Sequence, residues 1–226
     1  MNETNSEKPV LVDVVSDVMC PWCYIGKRRL EDALERSPHQ IEIHWRPFQL
    51  DATLPAEGKD RQAYLAEKFG SAEQAGQIYK NVSDAGETED IPFAFDKIEV
   101  SPNTLDAHRL IRWAGGSSAA LQERIVEDLF QAYFIYGENI GDHNVLVRIA
   151  EDAGMDGVLV AGLLQDGADR ELVQKEIELA QKMGVTGVPT FIIDNKYALV
   201  GAQPADQLVA AIDSIVSQRN ANDNAD

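Results

Sequence analysis

Residues 10–34, VLVDVVSDVMCPWCYIGKRRLEDAL, run from an almost continuous β-branched stretch straight into Cys-Pro-Trp-Cys and then into a helical pattern. A run such as PVLVDVVSD reads as a strand covered on both faces. From Pro21 onward Cys23, Leu30 and Leu34 fall at offsets of seven and four, on one helical face with Ala33 beside them. This helix is expected to end near Ser37-Pro38, because proline disfavours a helical residue before it. QIEIHWRPF then alternates Ile41, Ile43 and Trp45 against Glu42, His44 and Arg46, the period of a half-buried strand. Residues 9–48 therefore read as a β-α-β unit.

Cys20 and Cys23 are the only cysteines in 226 residues. With Cys20 as N-cap and Pro21 as the first helical residue, a position proline favours, Cys23 lies one turn in. Residues three apart in a helix share a side, and their α-carbon separation fits the disulfide range of about 4.4–6.8 Å. Cys20 is expected to face solvent and the unpaired N–H groups of the helix end, whereas Cys23 shares the buried face of Leu30 and Leu34. Helix N-termini and CxxC geometry favour a thiolate, which assigns Cys20 as nucleophile and Cys23 as resolving thiol. Lys27, Arg28 and Arg29 sit two turns on, where cations oppose the helix dipole. A solvated face or support of the thiolate explains them, and the solvated face is favoured.

Other uses of the pair fit less well. A structural zinc needs four ligands, and His39, His44, His108 and His143 show no paired spacing. A disulfide closing so short a loop would stabilise little. No metal site is expected.

Residues 51–167 show helical patterns, loops at DATLPAEGKD and FDKIEVSPN, and no convincing strand. NTLDAHRLIRWA places Leu105, His108, Arg109 and Trp113 at helical spacing, and LQERIVEDLFQAYF repeats Ile125, Leu129 and Ala132. An all-helical insertion is expected here. ADRELVQKEIELAQKMG follows with Leu172, Val173, Ile177, Ala180 and Met183 on one face and Gly184 at a left-handed cap. Strands are expected at 190–193 and 197–200 around a turn at Asp194-Asn195-Lys196, and Gly201 breaks the second. A last helix begins near Pro204 with Leu208, Ile212 and Ile215 inward, followed by a frayed polar tail, SQRNANDNAD.

The order β-α-β, helical insertion, α-β-β-α predicts an α/β fold with a four-stranded mixed sheet flanked by helices. The sheet unit comprises 1–50 and 168–220, the insertion 51–167 and the tail 221–226. Gly187-Val188-Pro189-Thr190 precedes one buried strand, a setting for a cis proline. Pro189 brings no donor, so the Val188 backbone is placed to pair with an extended peptide laid beside CPWC.

With 38 acidic against 20 basic residues the net charge is −18, which opposes binding to a phosphate backbone. Nucleic acid is excluded as a partner, and no apolar run approaches the roughly 18 residues that span a bilayer. MNETNSEKPV has neither a basic n-region nor an apolar h-region, which points to the cytoplasm.

CPWC after VDVVSD, GVPTF far downstream and a helical stretch between them resemble the thioredoxin-fold DsbA family of oxidoreductases. SDVMCPWCYIGKRRLE, NTLDAHRLIRWA and GVTGVPTFIIDNKYALVGAQP are most similar to its FrnE-type branch of predominantly cytoplasmic dithiol oxidoreductases, over about Val10 to Val216. The resemblance implies a nucleophilic Cys20, a resolving Cys23 and a cis-Pro189 facing them. It also implies that the insertion lines a substrate site. The candidate substrate-binding residues are Pro21, Trp22, Val188, Asn103 and His108. No cofactor is implied beyond a redox-active Cys20-Cys23 disulfide, with protein or peptide thiols and disulfides as partners and glutathione as a further co-substrate. Some FrnE-type members carry a second cysteine pair near the C-terminus, which two cysteines cannot supply. The 2-hydroxychromene-2-carboxylate isomerases and kappa-class glutathione transferases resemble the chain in architecture, with serine at the Cys20 position. A glutathione-dependent isomerase or transferase acting on a small aromatic or polyketide-like substrate is therefore the alternative function.

Overall fold

A computed structural model describes residues 8–223 of the chain. Residues 1–7 and 224–226, which hold most of the N-terminal segment and the last part of the expected tail, lie outside the described residues. Strand β1 (Val10–Ser16), helix α1 (Pro21–Arg36) and strand β2 (Ile41–Pro47) form the expected β-α-β unit. Helix α1 starts at Pro21 with Cys20 as an extended N-cap, and it stops at Arg36 before Ser37-Pro38. β5 (Thr190–Ile193), β6 (Tyr197–Val200) and α9 (Ala205–Asp223) complete the unit.

The sheet order is β2-β1-β5-β6. β1 runs parallel to β2, with Val12 opposite Ile43 and Ser16 opposite Pro47, and antiparallel to β5, with Val14 opposite Phe191. The period-2 alternation of β1 assigns its two faces. Val10, Val12 and Val14 pack with Cys23, Leu30 and Ala33 of α1 and with Leu208 and Ile212 of α9. Val15 on the other face packs with Phe48, Val185 and Ala180, the last from α8 (Arg170–Lys182). A strand buried on both faces explains the unbroken β-branched run.

The middle of the chain forms α2 (Arg61–Phe69), α3 (Ala72–Glu87), α4 (Leu105–Ser117), α5 (Ala119–Phe134), α6 (His143–Asp152) and α7 (Gly157–Gln165). It is not all-helical: β3 (Lys59–Asp60) and β4 (Val100–Ser101) pair antiparallel inside the two segments expected to be loops. Two residues per strand give no alternation to detect. Gly58, at φ +79°, lets the chain turn against Val100 and Ser101, where a Cβ would lie 2.8 Å from the Ser101 carbonyl oxygen.

Two other expectations need correction. Val173, Ile177 and Ala180 of α8 are buried, but Leu172 is exposed and Met183 is 60% exposed. Both lie about a quarter turn off the buried stripe at 100° per residue. The polar C-terminal stretch is helical as far as Asp223. Arg219 in it donates to the Lys8 carbonyl at 2.9 Å and pairs with Asp194, tying the last turns to the entry of β1. Among the described residues, no helix is long and apolar enough to cross a membrane.

The insertion is joined to the sheet unit through α1. Tyr24 stacks on Phe130 of α5 at 4.9 Å between centroids and 7° between planes. Beside it Lys27, only 2% exposed, meets Glu123 at 2.7 Å, Glu127 at 2.9 Å and Glu31. Arg28 bonds Glu31 at 2.9 Å and also pairs with Glu127, while Arg29 reaches Glu89 at 2.7 Å. The basic triplet is therefore neither a solvated face nor a thiolate support, because carboxylates remote in sequence close over it. Burial alone would lower the Lys27 pKa, but Glu123 and Glu127 outweigh it and push the value up.

Breaking a buried ion pair from one side strands the other charges and costs about 3–5 kcal/mol. Lys27→Met is expected to lose about that much stability in urea unfolding, and adding Glu127→Gln to recover part of it. Wild-type stability in Lys27→Met would remove the cluster as a structural joint.

Candidate active site

The strand-to-helix turn fixes both sulfurs. The Ser16 carbonyl accepts from Phe48 N at 3.0 Å, and the Asp17 carbonyl accepts from Cys20 N at 2.9 Å. The buried Asp17 carboxylate accepts from Leu50 N at 2.7 Å and Met19 N at 3.4 Å, holding the segment after β2 against the turn. Cys23 N then donates to the Cys20 carbonyl at 3.0 Å, closing the first turn of α1.

Both cysteines are free thiols. Cys20 is not open to solvent as expected: it is 4% exposed, against 1% for Cys23. Its cover comes from parts of the chain that its position at a helix end does not reveal. The Cys20 thiol donates to the Val188 carbonyl at 3.7 Å. Tyr79 of α3 is within electrostatic reach of Cys20; its hydroxyl pKa is raised by burial, against the pull of Arg61, with the Cys20 charge adding a smaller rise.

The two thiols still differ. Burial pushes the Cys23 pKa well up, and the neighbouring Cys20 pushes it further, while Ser16 and the Asp17 backbone act the other way. A negative charge in the pair therefore settles away from Cys23.

Opposite the pair, the Val188-Pro189 peptide is cis. Gly26 of α1 faces it: a Cβ there would meet Pro189 Cγ at 2.8 Å and Phe191 Cζ at 3.3 Å. The helix can lie this close only where it has no side chain. The Val188 N–H donates to no group among the described residues.

The other candidates separate. Trp22 stands 39% exposed beside Pro21 on the active-site turn, where it can meet a substrate. Asn103 is committed to the fold: it accepts from Gln49 Nε2 and Leu105 N, both at 3.0 Å, and donates to the Leu54 carbonyl at 2.7 Å. It thereby anchors the segment carrying Leu50. His108 is buried with Nε2 3.5 Å from Asp17 Oδ1. It lines a groove of about 1020 Å³ with Trp113 and Met155, a groove that neither cysteine borders. Among the described residues no group of three or more His, Cys, Asp or Glu is placed to hold a metal. Gly26, against Pro189, and Ser16, against Cys23, carry no motif in the sequence. A glycine inside a helical pattern was the one available signal.

A family model described as a DSBA-like thioredoxin domain matches residues 11–213. The chain belongs to the DsbA-like thioredoxin family. A probable DsbA oxidoreductase from Streptomyces coelicolor is 31% identical, covers 89% of this chain and 88% of its own, and superposes with a TM-score of 0.82. YwbO of Bacillus subtilis strain 168 is 26% identical over 204 residues, 90% of this chain and 96% of its own. A 2-hydroxychromene-2-carboxylate isomerase shares the fold at 16% identity and TM-score 0.68, covering 96% of this chain and 99% of its own. The mixed sheet and largely helical insertion are thus the DsbA version of the thioredoxin fold.

Two expectations follow for this DsbA-family site. Alanine is favoured over glycine in an open helix by about 1 kcal/mol, but overpacking costs about 1–3 kcal/mol. Gly26→Ala is therefore expected to lower the thermal midpoint, and a raised midpoint would show that Pro189 yields freely. The second concerns pH. The folded dithiol holds the Cys23 proton more tightly than an unfolded chain, whose cysteines titrate near about 8.5. This contribution is full below about pH 8.5 and is lost as pH rises toward the folded value. Reduced wild type is expected to lose stability above about pH 8.5 more steeply than Cys23→Ser in urea unfolding, and parallel curves would contradict the assignment.

Proposed function

We propose that the protein is a thiol-disulfide oxidoreductase in which Cys20 is the nucleophile and Cys23 the resolving thiol. The observation that carries this reading is the pair itself: two free thiols on one helical turn, Cys20 against the Val188 carbonyl and Cys23 sealed behind it. The Cys20 thiolate attacks one sulfur of a substrate disulfide and the other leaves as a thiolate. Cys23 then displaces the substrate from Cys20, forming the Cys20-Cys23 disulfide and releasing the second substrate thiol. Run backwards, the same steps oxidise a dithiol.

The proposed substrates are protein or peptide thiols and disulfides, with glutathione as a further co-substrate and the cytoplasm as the compartment. The unpaired Val188 N–H supports an extended backbone as ligand. There the Cys20-Cys23 disulfide is transient and catalytic.

Cys20→Ser is expected to abolish turnover of a model disulfide with a dithiol reductant, and Cys23→Ser to accumulate a mixed disulfide on Cys20 visible by intact mass. Full activity in Cys20→Ser would overturn the roles. Turnover that saturates with glutathione and survives Cys23→Ser would point to isomerase or transferase use of the same fold.

A further inference from the structure

Ser16 is the last residue of β1, and its hydroxyl is buried with no formed hydrogen bond among the described residues. Buried hydroxyls without partners are rare in folded proteins because desolvation costs them free energy that no contact returns. Alternation along β1 puts Ser16 on the face of Val12 and Val14, the face on which Cys23, Leu30 and Ala33 of α1 pack. The turn from Asp17 to Cys20 brings the first turn of α1 back over that face. The unused hydroxyl therefore lies under the buried sulfur of the pair.

Exchange makes a demand on this spot. The resolving step needs Cys23 as a thiolate, yet burial opposes that charge. We propose that the Ser16 hydroxyl, with the Asp17 N–H beside it, donates hydrogen bonds to the Cys23 sulfur as it becomes anionic and attacks the mixed disulfide, which makes Ser16 a catalytic residue. Both groups stand where they favour the anionic sulfur of Cys23 against its burial. The bond that is missing in the resting dithiol forms when the sulfur turns from donor into acceptor.

The step balances without a further reagent. The Cys23 sulfur bonds to Cys20, the bond between Cys20 and the substrate sulfur breaks, and the electron pair leaves with the substrate. The proton given up by Cys23 goes to the departing thiolate, or to solvent where that thiolate is a weak base. Ser16 keeps its own proton throughout.

The inference rests on the exchange reading, and one experiment separates them. Reduced full-length protein is mixed with 5,5′-dithiobis(2-nitrobenzoate) in a stopped-flow instrument, where attack by Cys20 and resolution by Cys23 each release one equivalent of chromophore. Ser16→Ala is expected to leave the first phase unchanged and to slow the second about tenfold, the size of a lost hydrogen bond to a charged group. The midpoint of the second phase against pH should move upward, and Ser16→Thr, which keeps the hydroxyl, should restore it. Of the ionisable side chains, Cys20 contacts Cys23, the Asp17 carboxylate points to Met19 N, Leu50 N and His108, and Lys27 is paired with Glu31, Glu123 and Glu127 one turn on. Removing an uncharged hydroxyl alters none of those charges. A second phase with the wild-type rate and pH profile in Ser16→Ala, or equal slowing of both phases, overturns the inference. A single equivalent from the wild type overturns the exchange reading itself.

Discussion

The close approach of α1 to Pro189 is the constraint on which the site depends. Gly26 removes the side chain that would hold the helix off the loop before β5, and less than the space of one Cβ separates the helix from the Pro189 ring. Because α1 begins at the CPWC turn, its seating also sets where Cys20 stands relative to Val188, 168 residues away in sequence. Hydrogen bonding fixes the segment only from the side of β6, where Gly201 N–H donates to the Pro189 carbonyl at 2.8 Å; the β1-β5 ladder begins after it, at Thr190. The proline ring meeting a bare stretch of helix supplies the missing coordinate, and close packing makes such a contact intolerant of even one added carbon.

The same helix carries the insertion. Its outer side offers Tyr24 to Phe130 and Lys27 to Glu123 and Glu127, so an aromatic stack and a buried ionic cluster hold α5 against it. Trp45 of β2 joins by donating from Nε1 to Glu123 at 2.7 Å. Buried ion pairs return little net stability, but a stranded partner is costly, which makes the cluster a register device. Sliding α5 along α1 by a turn would carry one of Glu123 and Glu127 away from Lys27, leaving it Glu31 and a single carboxylate of α5. The cluster therefore favours one seat of α5 against α1.

What the sequence revealed follows from the range of each interaction. The bounds of β1, α1, β5 and β6, the N-cap at Cys20 and the left-handed Gly184 are decided by neighbouring residues, and the periodic patterns placed them. The CPWC and GVPTF motifs marked the two sides of the site for the same reason. The burial of Cys20 is not legible locally because Val188, which meets it, lies far along the chain. Lys27, Arg28 and Arg29 read as a surface because no local pattern discloses Glu123 and Glu127 of α5 or Glu89. The β3-β4 ladder escaped because two-residue strands have no period. Ser16 was hidden in plain view: within a β-branched strand, one hydroxyl looks like any other strand residue until the helix above it is placed.

The contact between Cys20 and Val188 also ties ionisation to access. In the resting dithiol the Cys20 proton points at the Val188 carbonyl, and this hydrogen bond occupies that acceptor. Removing the proton removes the bond and leaves a sulfur anion facing a carbonyl oxygen, two groups that repel. The oxygen is then free to accept from a backbone N–H, beside a Val188 N–H that already lacks a partner. In the exchange reading, loss of that one proton both activates the sulfur and opens an edge to which an extended substrate can add. A buried nucleophile is then no contradiction. One of the contacts that cover it is a hydrogen bond that the ionised form cannot make.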